Sequence, residues 1–163
     1  MGQDSSRTAW KVHKEGSLVR LSFPPDWQIN NRLPGVVFYL FSPREDSADN
    51  FSQNLNLYED PSDKVKTVTV DGYADSSLAV IKSQLEEFEL TGRRQIKSDT
   101  VTITEIRYSG FMPSLNKRFR WIQRFYIIGE TGFVLTYTAE KDRRDPFLQT
   151  GLKIMDGLVF LSE

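Results

Sequence analysis

Over residues 117–140 apolar and polar side chains alternate with the two-residue period of a half-buried strand. Phe119, Trp121, Phe125 and Ile127 share one parity, and Arg118, Arg120, Arg124 and Tyr126 share the other. Gly129 and Gly132 bracket a short turn, after which Phe133, Leu135, Tyr137 and Ala139 alternate with Val134, Thr136, Thr138 and Glu140. The pattern predicts a β-hairpin. Each large apolar side chain taken out of water contributes roughly 1.5–3 kcal/mol, so the rest of the chain is expected to pack against the aromatic face of this hairpin.

Upstream, residues 10–13 read as a short edge strand, and Val19, Leu21 and Phe23 alternate until Pro24 and Pro25 end the pattern. Residues 29–35 read as a loop from their Asn, Pro and Gly content, and the apolar run 36–41 as a strand covered on both faces. Leu55 and Leu57 between Asn54, Asn56 and Tyr58 give a further strand, flanked by polar, acidic loops over 44–50 and 59–64. The period then changes. Ala74, Leu78, Ile81, Leu85 and Phe88 are spaced four, three, four and three apart, one stripe of a helix with Asp71 as candidate N-cap and Gly92 as the residue just past its end. Residues 93–98 and 101–111 read as strands, the second with a parity switch that a bulge near Glu105 explains. Asp145 before Pro146 starts a closing helix with the apolar stripe Phe147, Leu148, Leu152, Ile154, Met155 and Leu158, closed at Gly157. Hairpin-like connections dominate, which predicts an α+β domain with an antiparallel β-sheet packed with α-helices.

Composition narrows the class. A chain of 163 residues is long enough for one domain with a sizeable core, read here as a single domain over 10–163 behind a disordered N-terminal segment over 1–9. With 21 basic and 22 acidic residues the net charge is −1, so no overall field draws the chain to nucleic acid or anionic lipid. No apolar run reaches the roughly 20 residues of a transmembrane helix. The absence of cysteine removes disulfides, thiolate metal sites and thiol nucleophiles. The first nine residues, MGQDSSRTA, lack the apolar core of a signal peptide. Such a start also suits a mature exported domain whose leader or lipid anchor has been removed, which leaves peripheral membrane association open.

The landmarks LSFPPDW at 21–27, QNLNLYED at 53–60, the helix from Asp71, GFVLTYTAEKD at 132–142 and LKIMDGLVF at 152–160 together resemble the PsbP-like superfamily. That group includes the extrinsic photosystem II subunit, a nuclear Ran-binding protein and bacterial lipoproteins. Each motif is loose alone; their order and spacing carry the resemblance across nearly the whole chain. It implies a PsbP-like sandwich, in proteins that bind or chaperone others and are not known as enzymes, and a periplasmic or other extracytoplasmic place. It hands over no site residue. The photosystem subunit's metal-binding histidines have no counterpart beyond His13, and no motif assigns the chain to the branch that chaperones transmembrane segments.

Candidate chemistry is sparse. His13, flanked by Lys11, Lys14 and Glu15, reads as a solvated residue, and there is no Gly-rich phosphate loop, HExxH or GxSxG. The clusters Glu45, Asp46, Asp49 and Glu59, Asp60, Asp63 lack the spacing of a calcium loop. Asn50, Phe51 and Ser52 form a glycosylation sequon that matters only in a eukaryotic secretory setting. No metal or organic cofactor is expected. The strongest local signal is Lys117, Arg118, Arg120, Arg124 and Tyr126, a guanidinium and aromatic mixture suited to a protein partner. The plainer alternative is a sheet face whose arginine stems cover apolar surface and whose charges pair with Glu140 or Glu105. The expected function is a non-enzymatic accessory or protein-binding module, exported in a bacterium; the alternative is a carrier of a small apolar ligand or lipid, with a pocket between sheet and helices.

Overall fold

The structure is a computed structural model and describes residues 9–44, 51–61, 65 and 68–161. Glu45, Asp46, Asp49, Asn50 and Asp63 lie outside the described residues, as do residues 1–8 of the N-terminal segment. The strands are β1 (Lys11–Glu15), β2 (Val19–Phe23), β3 (Gln28–Asn30), β4 (Val36–Phe41), β5 (Asn54–Asp60), β6 (Glu86–Lys97), β7 (Thr102–Met112), β8 (Lys117–Ile128), β9 (Thr131–Glu140) and β10 (Val159–Phe160). The helices are α1 (Val70–Gln84) and α2 (Leu148–Asp156). Seven strands form an antiparallel sheet in the order β3-β4-β5-β9-β8-β7-β6, and β1-β2-β10 form a small second sheet. The predicted hairpin is therefore central to the large sheet.

Both faces of this hairpin are covered, and the expectation of one aromatic face against the rest of the chain is corrected accordingly. Phe119, Trp121 and Phe125 of β8 and Val134 of β9 meet Tyr73, Ala74 and Leu78 of α1. On the other side, Ile122, Tyr126, Phe133, Leu135, Tyr137 and Ala139 meet Val19, Leu21 and Phe23 of the small sheet and Ile154 and Met155 of α2. Cross-strand register assigns these sides, since Ile122 lies opposite Tyr137 and Phe125 opposite Val134. The result is an α+β sandwich of helix, large sheet, and small sheet with helix.

Several local expectations change. Thr69 caps α1, its side-chain oxygen accepting the Gly72 N–H at 3.1 Å. Asp71 instead ties the helix to the sheet, accepting from the Thr104 hydroxyl at 2.7 Å, from Gln95 at 3.0 Å and from Arg93 at 3.3 Å. The helix ends at Gln84, because Leu85 is extended, and Phe88 and Gly92 belong to β6. Spacing misplaced this end for a physical reason: Leu85 and Phe88 still pack on the α1-side core, so one apolar stripe continues through a change of element. The bulges lie in β6, between Glu86 and Glu89 and between Leu90 and Gly92, while β7 pairs continuously with β8 through Glu105. The parity switch in β7 marks a change of covered face, with Ile103 on the small-sheet side and Ile106 and Tyr108 on the α1 side.

The residues expected as loop before β4 include β3, and β4 alternates, with Phe38 and Leu40 buried while Tyr39 and Phe41 stack half-buried at 5.6 Å. The hairpin loop is Gly129 and Glu130, with Gly129 at φ +63° in the first loop position, where a two-residue turn favours glycine. Gly132 is no turn residue. A Cβ there would approach the Tyr73 ring to 2.8 Å, so this glycine lets α1 close onto the sheet.

Gly151 serves the same purpose on the other face, where a Cβ would come within 2.6 Å of Tyr137 Cε1. Helix propensity alone favours alanine over glycine by about 1 kcal/mol. Overpacking against a fully buried ring outweighs this, so Gly151→Ala is expected to destabilise by about 1–3 kcal/mol in urea melts. A more stable variant would show that α2 does not sit against Tyr137.

Candidate binding site

The five residues singled out on β8 part company in the fold. Lys117 has the opposite parity and reaches Glu140 at 3.3 Å. Arg118 holds Glu87 through Nε at 2.8 Å and lies over the Phe111 ring, 5.5 Å from its centroid. Arg120 is exposed. Arg124 and Tyr126, by contrast, are each only 3% exposed. Tyr126 packs on Phe160 of β10 at 5.0 Å, and burial first of all pushes its hydroxyl up to about 12. They do not extend an open face from Arg118 and Arg120, because α2 and β10 cover the far half of that side. Strand parity identifies the side a residue faces and carries no information about what packs there. The cross-strand pairing set out as the alternative holds for Lys117 with Glu140 and for Arg124 with Glu105.

Glu105, itself 2% exposed, organises the covered half. Its carboxylate accepts from Arg124 Nε at 2.9 Å, Arg94 Nε at 2.9 Å and Arg107 Nε at 3.2 Å, and Arg124 Nη1 donates to Asp156 of α2 at 2.7 Å. Burial is the largest single influence on this carboxyl and raises its pKa. Hydrogen bonds from Arg94 and Arg124 and the charges of Arg124 and Arg107 outweigh burial and hold it below the usual range. The network fastens α2 to the large sheet.

At the open half, β7, β8, β9 and the start of α2 enclose a cavity of about 220 Å³. Ile122, Ala139 and Leu148 give it apolar walls, Ser109 and Tyr137 line it, and Arg107, Arg120 and Lys141 stand around it. The Tyr137 hydroxyl is already engaged, donating to the Asp145 carboxylate at 2.8 and 2.9 Å. Burial, reinforced by the Asp145 charge, raises its pKa far above the usual phenol value. The expected cap at Asp145 is corrected: α2 begins at Leu148, with Phe147 at its N-cap position and no side-chain cap, while Asp145 accepts the Phe147 N–H at 3.2 Å in the turn before it and holds Tyr137. Among the described residues Arg120 and Lys141 make no ion pair, and the buried Ser109 Oγ has no hydrogen-bond partner. The sequence reading missed Ser109, Lys141 and Asp156. Each comes from a different part of the chain, so no spacing could have joined them; the acid Glu105, inside a strand between Ile103 and Ile106, was the signal for the buried network.

The remaining candidates stay apart. His13 Nε2 lies 2.8 Å from Glu15 Oε1 at the edge of the small sheet, and Asp60 accepts from the Tyr73 hydroxyl at 3.3 Å. Among the described residues no three His, Asp or Glu side chains converge as metal ligands, and no helix is long and apolar enough to cross a membrane.

This architecture is shared with solved proteins. CyanoP, the cyanobacterial PsbP of Synechocystis, is similar over 93% of this chain and 92% of its own, at 13% identity and a TM-score of 0.61. LpqN of Mycobacterium tuberculosis, a protein involved in cell envelope biogenesis, is similar over 88% of this chain and 83% of its own, at 13% identity and a TM-score of 0.63. PA94 of Pseudomonas aeruginosa, a protein of unknown function, is similar over 82% of this chain and 85% of its own, at 17% identity and a TM-score of 0.55. No family model matches the sequence, and no curated protein matches it. The chain has a PsbP-like fold, as the landmark motifs implied. At these identities the likeness extends to the fold alone.

Proposed function

We propose that the protein is a non-enzymatic accessory module that acts outside the cytoplasm and binds another protein at the open corner of the large sheet. The observation that carries this reading is the pair of cations without ion-pair partners, Arg120 and Lys141, beside the small apolar-walled cavity. The chemistry is that of recognition: guanidinium and ammonium donors over apolar surface, beside a Tyr137 hydroxyl already bonded to Asp145. Within the face expected from the sequence, Arg118 and Arg120 keep the role proposed for it, Lys117 flanks them, and Arg124 and Tyr126 support the sheet from inside. The extracytoplasmic placement is supported by the fold shared with LpqN, a protein of cell envelope biogenesis. A lipid carrier requires a chamber between sheet and helices. Here Tyr73, Ala74 and Leu78 pack on the α1 side and Ile154 and Met155 on the α2 side, while an open cleft of about 440 Å³ lined by Ile103, Ile128, Met155 and Phe160 is the place on the α2 side that such a ligand would occupy.

The test is affinity capture from envelope and cytoplasmic fractions of the source organism, comparing the wild-type protein with an Arg120→Glu, Lys141→Glu variant. Neither residue is ion-paired among the described residues, so the variant is expected to melt with the parent and to lose the partner, with capture by the parent falling as salt rises. Retention of the same partner at the same salt, or extraction of a stoichiometric lipid from the purified protein, overturns the reading.

A further inference from the structure

We infer that the cavity between β7, β8, β9 and α2 is a side-chain socket for an acidic-aromatic segment of the partner, with a carboxylate held by Arg120 and Ser109 and an aromatic ring inserted below it. This deepens the proposed function and rests on it. Arg107 is engaged by Glu105 at 3.2 Å, and the Tyr137 hydroxyl is spent on Asp145 at 2.8 Å. Glu89 and Thr91 also line the cavity and are exposed; beside them, among the described residues, the Arg120 guanidinium and the Lys141 ammonium make no ion pair, though the Lys141 charge acts on Glu87, and the buried Ser109 hydroxyl has no hydrogen-bond partner. Of these last three groups, Arg120, Lys141 and Ser109, two are cationic donors and the hydroxyl can donate as well, so the matching group is an anionic acceptor.

Register places the two central donors together. Ser109 on β7 lies directly opposite Arg120 on β8, and such cross-strand side chains start about 4.5–5.5 Å apart. That separation suits one carboxylate taking a charge-assisted bond from the guanidinium and a second bond from the hydroxyl. A buried hydroxyl left without a partner is costly in an isolated protein; a ligand oxygen would satisfy it. Charge also selects. Glu89 is the other acid lining the cavity besides the engaged Asp145, and it is exposed, so cationic ligands find no buried counter-ion.

Size selects the apolar part. About 220 Å³ is below the roughly 300–1,000 Å³ of sites that enclose a whole drug-sized ligand. With walls from Ile122, Ala139 and Leu148, it accommodates one large apolar side chain. A polypeptide in which Asp or Glu lies near Phe, Tyr or Trp supplies both groups.

The probe is N-acetyl-aspartyl-phenylalanine amide, titrated at low salt into the isotopically labelled full chain and followed by amide NMR shifts. It is compared with the lysyl-phenylalanine and aspartyl-alanine analogues and with 3-phenylpropionate. The expected result is saturable movement of the Ser109, Arg120 and Ala139 amides by the aspartyl-phenylalanine peptide. Affinity should fall about tenfold in Arg120→Gln and a few fold in Ser109→Ala, while the lysyl and alanine analogues bind at least tenfold more weakly. Absence of movement at Ser109 and Arg120, equal binding of the lysyl peptide, or undiminished binding by Arg120→Gln overturns the socket. Tighter binding of 3-phenylpropionate than of the peptide overturns its assignment to a polypeptide. If the peptide fails while Arg120→Glu, Lys141→Glu still loses the captured partner, the socket is wrong and the docking corner stands. If partner capture also survives the charge reversal, both fall.

Discussion

Trp121→Ala is expected to lower the free energy of unfolding by about 3–5 kcal/mol. The indole is 8% exposed and lies at the centre of the α1-side core. It stacks on Tyr108, with centroids 5.1 Å apart and planes 26° from parallel, and tilts against Phe119 at 5.6 Å. Truncation removes the largest side chain of this cluster and leaves a cavity that flanking strands cannot close, since β7 and β9 hold β8 in register along most of its length. Trp121→Phe should recover much of the loss, because an aromatic ring still fills part of the space between Tyr108 and Phe119. Chemical denaturation followed by far-UV circular dichroism reads both variants. An alanine variant that unfolds with the parent would place Trp121 outside the core.

Glu105→Ala is the second large effect, also expected at about 3–5 kcal/mol. It strips a buried acceptor from three guanidiniums at once and leaves Arg124, 3% exposed, with Asp156 alone. The loss should exceed that of a mere cavity, and a control distinguishes the two. Replacing Glu105 and Arg124 together by leucine removes both buried charges, so the double variant should be less destabilised than Glu105→Ala. Additive losses across Glu105→Leu, Arg124→Leu and the double leucine variant would show that the pair is not coupled. The same carboxylate sets an acid limit. Because its folded pKa lies below the unfolded value, its contribution is complete above the ordinary glutamate pKa of about 4.3, and is lost as pH falls through the lowered folded value. Parent stability should therefore decline below about pH 4.3, and the Glu105→Gln variant should lose this part of the dependence.

The contrast between Arg120 and Arg124 shows where sequence reasoning stops. Both have the same parity on β8 and flank apolar neighbours, so local pattern treats them alike. One is an exposed cation beside a cavity and the other is interior, and the difference comes from α2 and β10, which are contributed by the last part of the chain. The same limit explains the end of α1. Leu85 and Phe88 satisfy a helical spacing, yet an extended strand presents them equally well to the α1-side core.

What the sequence determined by itself is the set of strongly periodic elements: the β8–β9 hairpin, β2, β4 and β5, the body of α1 and the closing helix at Gly157, together with the antiparallel α+β class. These rest on side-chain direction along a strand or helix, which is fixed by backbone geometry over a few residues. Tertiary structure alone decided that both hairpin faces are covered, that Gly132 and Gly151 admit Tyr73 and Tyr137, and that Ser109, Arg120 and Lys141 share one corner. Those features depend on contacts between residues far apart in the chain, where packing, charge pairing and close approach are settled by the layers that meet and not by the local order of residues.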